Sequence, residues 1–227
     1  MQLALPDSLP LDGICRGMGQ PADVPADAPT LALAAEAAAR VLAAARPLAV
    51  WRMLPVQWED KTPRLAGTAL PGRDIALHLR GCDECAVLAV TLGAGCDQLL
   101  RRLSAGQVAL AAAADSAASL LVEQMADQAE AAVRAALPPG RYLTGRYSPG
   151  YGDLPLALQP FVAELVNARR AVGLAVSSAG ILTPRKSITA LLGASDHPVK
   201  GHRAGCAHCA LRDTCQYRKE GTTCADQ

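Results

Sequence analysis

Aromatic residues are scarce in this chain: one Phe, two Trp and four Tyr among 227 residues, 3% of the total. Rings therefore cannot fill a core of this size. With 51% apolar residues and abundant alanine, the composition points instead to closely packed helices in a globular fold. Net charge is also nearly missing, at +1 with 22 basic and 21 acidic residues. That balance excludes the broad basic field by which proteins hold nucleic acid or anionic membranes, so neither is an expected partner. No stretch reaches the roughly 18 to 20 unbroken apolar residues of a membrane span. The opening Met1 to Leu5 is apolar but has no basic start and meets Pro6 and Asp7, which does not fit a secretion signal and gives a cytoplasmic location as the expectation. The four histidines, His78, His197, His202 and His208, are too dispersed for a histidine metal site. A Ser-His-Asp set, a metal-hydrolase motif and an internal repeat are all absent as well.

Cysteine, by contrast, is present and unevenly placed. Four of the eight fall in the last segment as Cys206-x2-Cys209-x5-Cys215-x8-Cys224. In a chain without a secretion signal such a group reads as metal ligands sooner than as disulfides. Four thiolates suit an iron–sulfur cluster or structural zinc, and the spacing matches neither standard pattern. Reduced cysteines without metal are a third reading, and His208 lies where it could replace one ligand. Basic neighbours Arg203, Arg212, Arg218 and Lys219 would offset thiolate charge or receive an acidic electron donor. The earlier pair Cys82-x2-Cys85 stands at the mouth of an apolar run and reads as packed thiols.

Residues 1–29 carry Pro6, Pro10, Pro21, Pro25 and Pro29, which break any apolar period and suggest an extended arm. Thr30 is the expected N-cap of an alanine-rich helix from Leu31 to Ala45, stopped at Arg46-Pro47. Leu48 to Val56 reads as a short strand broken by Pro55, in the manner of an edge. Asp74 to Leu79 alternates as a half-exposed strand does, and Cys85 to Leu92 runs apolar throughout, as a strand buried on both faces does. Asp97 to Leu103 is a short helix. Ser104-Ala105-Gly106-Gln107 has capping-box spacing and predicts the start of the longest helix, ending near Leu137 before Pro138-Pro139-Gly140. Further on, a helix from Phe161 to Arg170 closes at Gly173, and strands follow over Leu174 to Ser178 and Lys186 to Leu192. Strands and long helices in this order predict an α+β fold, with a twisted, mainly antiparallel sheet packed by long helices.

Two features carry chemistry. Along the longest helix Asp115, Ser119, Glu123 and Asp127 recur every four residues as one polar line, chiefly a solvated face, from which Glu123 could turn to a ligand. Beyond it comes Arg146-Tyr147-Ser148-Pro149-Gly150-Tyr151, running into Gly152-Asp153-Leu154-Pro155. A turn of this composition lets a ligand approach the backbone at Gly150, where no Cβ intervenes, and offers Arg146 to a carboxylate through a two-pronged contact. An ordinary Ser-Pro-Gly turn between helices would use the same residues.

Taken with Thr91-Leu92-Gly93 after the apolar run, Arg146-x-x-x-Gly150-Tyr151, and Thr183-Pro184-x-Lys186-Ser187 before the last strand, the order of elements over roughly residues 31–195 resembles a known family. It is the activation (reactivation) domain of cobalamin-dependent methionine synthase, in its stand-alone form. The resemblance implies an S-adenosylmethionine site. There Arg146 would grip the methionine carboxylate, Tyr151 would shape the pocket beside the adenosyl group, and the backbone near Ser148 and Gly150 would make close contacts. An acidic residue from the long helix would meet the ammonium group, with Glu123 the candidate and Asp115 and Asp127 the alternatives. The tyrosine-containing stretch near the end of the full-length enzyme's domain has no counterpart after Gly193.

The family's task is to return cob(II)alamin to methylcobalamin, with one electron from a redox protein and a methyl group from S-adenosylmethionine. No Asp-x-His-x-x-Gly corrinoid signature occurs here, so the resemblance implies cobalamin carried by a partner, a methionine synthase or another corrinoid protein, and an electron-donor redox protein beside it. The expected organisation is a proline-rich arm (1–29), an activation-like domain (30–197) and a Cys-rich metal-binding tail (198–227). The alternative function is an iron–sulfur or zinc adaptor on the same fold without methyl-donor binding. An iron–sulfur tail is the favoured reading, because a cluster near a methyl-transfer site would explain how the electron enters.

Overall fold

The computed structural model describes residues 1–21 and 23–201. Its helices are α1 (Leu11–Gly17), α2 (Ala28–Ala44), α3 (Arg73–His78), α4 (Ala94–Ser104), α5 (Val108–Ala136), α6 (Gln159–Leu165) and α7 (Ala168–Val172), with a 3-10 turn at Leu156–Leu158. Its strands are β1 (Leu48–Glu59), β2 (Thr62–Leu65), β3 (Thr68–Ala69), β4 (Glu84–Thr91), β5 (Tyr142–Leu143), β6 (Ala175–Val176), β7 (Leu182–Thr183) and β8 (Ser187–Ser195). Six strands join in the order β3-β2-β1-β4-β8-β5, and β6 pairs with β7. The β1–β2, β2–β3, β5–β8 and β6–β7 pairs are antiparallel. The fold is α+β, as the element order predicts.

Within it the chain forms two compact units: Met1–Arg52, Leu88–Leu137 and Pro160–Thr189, and Met53–Val87, Pro138–Gln159 with the residues from Ala190. The first is built on α5, against which α1, α2 and α4 pack. The reason lies in the spacing of small residues. Ala34, Ala37, Ala38 and Val41 of α2 are buried at i, i+3, i+4 and i+7, and α5 buries Leu110, Ala113, Ala114, Ala117, Ala118, Leu121 and Val122 in the same rhythm. Alanines on both faces let two helix backbones come close. Among the described residues α5 is also the one helix long and apolar enough to cross a membrane, and half of its most apolar window is buried in this fold.

Several expectations change here. The proline-rich segment is not wholly extended: Pro10 is the N-cap of α1 and no further proline follows until Pro21, which leaves room for two turns. Ile14 and Cys15 of α1 are buried, and Ser116 of α5 donates to the Ile14 carbonyl at 2.8 Å. Helix α2 starts three residues early, because the Asp27 carboxylate accepts from the Thr30 amide at 2.9 Å and Pro29 fits the first turn. Ser104 ends α4 instead of opening α5, its hydroxyl donating back to Leu100 O at 2.9 Å. Strand β1 is longer than expected and lies between β2 and β4; Pro55 falls outside Val56–Glu59, the stretch that pairs with β2. The single helix expected over Phe161 to Arg170 is divided at Asn167, which has φ 50°.

The second unit holds the largest correction. Asp74 to Leu79 lies almost wholly in helix α3 instead of forming a strand, with Ile75, His78 and Leu79 buried at i, i+3 and i+4. By contrast β4 fits the reading of a buried strand, since every residue from Cys85 to Thr91 is buried.

Candidate functional site

The loop carrying Arg146 belongs to the second unit and follows β5. Tyr147 fixes it to β8 by a two-way backbone bridge, its amide donating to Leu191 O at 3.0 Å and the Leu191 amide donating back at 2.7 Å. Beyond the bridge the chain closes on itself. The Tyr151 amide donates to Ser148 O at 3.0 Å, the Leu154 amide to Tyr151 O at 3.0 Å, and the Gly150 amide to Leu154 O at 2.8 Å. This curl needs φ values of 91° at Gly150 and 52° at Gly152, which glycine adopts without the steric cost a Cβ brings. Pro149 and Leu154 are buried beneath it.

Side chains brace the curl from within. The Tyr147 ring is buried, and its hydroxyl donates to Tyr151 O at 3.2 Å. Burial, helped by the negative charge of Asp74 and Asp153, pushes that phenol up to about 12, so it stays a proton donor at neutral pH. The Tyr151 ring meets Tyr147 edge-on, with centroids 6.3 Å apart, and is 58% exposed.

Helix α3 meets the loop at both ends. At its start, the Asp153 carboxylate accepts from the Arg73 amide at 2.6 Å and from the Asp74 amide at 3.1 Å. Gly72, with φ 138°, makes room for that carboxylate, and a Cβ there would collide with it. Asp153 thus caps a helix 80 residues back in the chain. At the last residue of α3, His78 places Nε2 3.1 Å from Gly145 O and 3.0 Å from the Thr144 hydroxyl. Its ring lies 4.9 Å from that of Tyr147. Thr144 Oγ1 in turn accepts from the Gly193 amide at 2.8 Å. Gly201 closes over the same pair, where an added Cβ would stand 2.8 Å from His78 Cε1 and 3.0 Å from Thr144 Cβ.

Four of the expected site residues therefore share one braced loop: Arg146 and Ser148 are half-buried, while Gly150 and Tyr151 are exposed. Glu123 stands exposed on α5, in the first unit, on the same polar line as Asp115, Ser119 and Asp127. Lys186 is tied to that line, its Nζ 2.8 Å from the Asp115 carboxylate and 2.9 Å from Ser119 Oγ. Cys206, Cys209, Cys215 and Cys224 lie outside the described residues. Among the described residues no group of three or more His, Cys, Asp or Glu could hold a metal. Cys82 and Cys85 are buried free thiols that burial pushes up to about 11 and about 12, which suits packing and leaves little thiolate at neutral pH.

Gly72, Asp153, His78 and Thr144 went unnoticed in the sequence as supports of this loop. The Pro71-Gly72 break before a possible i, i+3, i+4 face was the available signal for α3. What the loop offers chemically is a cation, exposed main chain at two glycines and an exposed aromatic ring. A guanidinium can take a carboxylate through a two-pronged contact, and an exposed ring can stack on a flat ligand.

No family model matches the chain, and no curated protein matches it in sequence. Among solved structures it is similar to a MetH reactivation domain crystallised with AdoHcy, with a TM-score of 0.62 over 100% of this chain and 87% of that one, at 12% identity. At that identity the likeness is one of fold.

Proposed function

We propose that the chain binds S-adenosylmethionine and supports the reductive methylation of cob(II)alamin held by a separate methionine synthase or other corrinoid protein. What carries the reading is the Arg146 to Tyr151 loop, rigidly curled with its glycine backbone exposed, on a fold shared with a reactivation domain that was crystallised with AdoHcy. In this reading Arg146 takes the ligand's carboxylate, Ser148 and Gly150 contact it through the main chain, and Tyr151 lies beside the adenosyl group. The bound donor supplies an electrophilic methyl group. The chain's own residues bind, orient and keep water away, which suits a loop without acid–base machinery. The electron comes from a redox protein. The tail thiolates Cys206, Cys209, Cys215 and Cys224 are proposed to hold an iron–sulfur cluster, and a colourless chain carrying stoichiometric zinc after anaerobic purification would overturn that assignment.

Calorimetry with S-adenosylmethionine and AdoHcy tests the central claim. Binding is expected, and Arg146→Ala should weaken it at least about tenfold, the scale of one lost charge-assisted contact. No binding, or binding indifferent to Arg146, would refute it. Reactivation of a cob(II)alamin-loaded partner, with and without this chain, tests the reaction itself.

A further inference from the structure

Helix α3 is six residues long, yet it touches the Arg146 loop on both sides of the curl. His78, its last residue, lies 3.1 Å from the Gly145 carbonyl immediately before Arg146. Its first two amides hold the Asp153 carboxylate immediately after Gly152. The span between these two points is the segment assigned above to the methyl donor. Gly72 is shaped for the second contact, since any side chain there would push Asp153 away. We propose that α3 is a clamp that sets the pose of the donor-binding loop, with Asp153 and His78 as positioning residues that touch no ligand themselves.

The physical case rests on where each end is fastened. Tyr147 anchors the loop to β8 and its hydroxyl holds the Tyr151 carbonyl, but the main-chain bonds between Ser148 and Leu154 are local, and a curl untied at its ends has the freedom to open them. Two N–H bonds to a carboxylate are charge-assisted and directional, and they remove this freedom at the far end. His78 removes it at the near end, packing its ring on Tyr147 while its nitrogen meets Gly145 O. A donor bound through exposed main chain at Gly150 depends on that pose more than one held by side chains, which can adjust.

This inference rests on the donor-site reading, so the test measures the clamp and the ligand separately on the full chain. Asp153→Ala should speed amide exchange at Gly150, Tyr151 and Leu154, leave exchange along α5 unchanged, and weaken AdoHcy binding by about tenfold. Asp153→Asn, which keeps one acceptor oxygen, should recover part of both effects. His78→Phe, which keeps a ring against Tyr147 and removes the nitrogen, should reproduce the exchange change at the Arg146 end. Wild-type affinity in Asp153→Ala despite faster loop exchange would overturn the positioning role, and unchanged exchange would overturn the clamp. A wild-type chain that fails to bind AdoHcy would overturn the donor reading and the positioning role with it. The exchange arm would then still report on the clamp, so the two failures are told apart.

Discussion

Tyr147 turns its hydroxyl inward and uses it to hold the Tyr151 carbonyl, and its titration records that arrangement. Below pH 10 the phenol is protonated in folded and unfolded chains alike. From pH 10 to about 12 the unfolded chain has released the proton while the folded chain keeps it, so stability falls as pH rises through this window. Urea denaturation at stepped pH should show that decline, and Tyr147→Phe should make it shallower while costing about 1 kcal/mol for the lost hydrogen bond. The buried thiols behave similarly: Cys82, Cys85 and Cys96, raised to about 11, 12 and 11, should resist iodoacetamide at pH 8 in the folded chain and react on unfolding. At Gly72 a substitution to alanine meets both a φ of 138° and the Asp153 carboxylate. A loss of about 1–3 kcal/mol is expected, read as a lower midpoint in the same denaturation.

At the scale of elements, α2 and α5 pack on each other and both bury alanines, among them Ala37 and Ala38 on α2 and Ala113 and Ala117 on α5. Ala117→Leu should therefore overpack the first unit and cost about 1–3 kcal/mol in chemical denaturation. These helices were legible because burial repeats in them with one period over many turns. Strand β4 was legible for a related reason, being apolar throughout. Helix α3 was not, since Asp74-Ile75-Ala76-Leu77-His78-Leu79 satisfies alternation and helical spacing equally, and the choice is made by Asp153 capping the segment from far along the chain. The start of α2 shows the same competition in miniature: Asp27 and Thr30 are both good caps, and the chain uses the first. In the loop, Arg146, Gly150 and Tyr151 could be picked out by residue type. What braces them could not, because His78, Gly72 and Leu191 are distant in sequence.

For the molecule as a whole, a ligand that binds the folded chain alone must raise its stability. AdoHcy at 100 times its dissociation constant should add about 2.7 kcal/mol, seen as a rise in melting temperature that a tenfold loss of affinity in Arg146→Ala would cut to about half at the same ligand concentration. The fold is shared with a reactivation domain at 12% identity. The curl at Ser148 to Leu154 suggests how such a shape persists while letters change. Its closing bonds run from main chain to main chain, as does the Tyr147 bridge to Leu191, and none of these bonds requires a particular side chain. The two glycines and the plug at Leu154 shape the curl, while Ser148 is half-buried in it and Tyr151 meets Tyr147 with a ring that is 58% exposed. On the donor-site reading, a library randomised at Tyr151 should yield mostly folded chains that differ in affinity for AdoHcy, which would make this loop a place where ligand preference changes without rebuilding the fold.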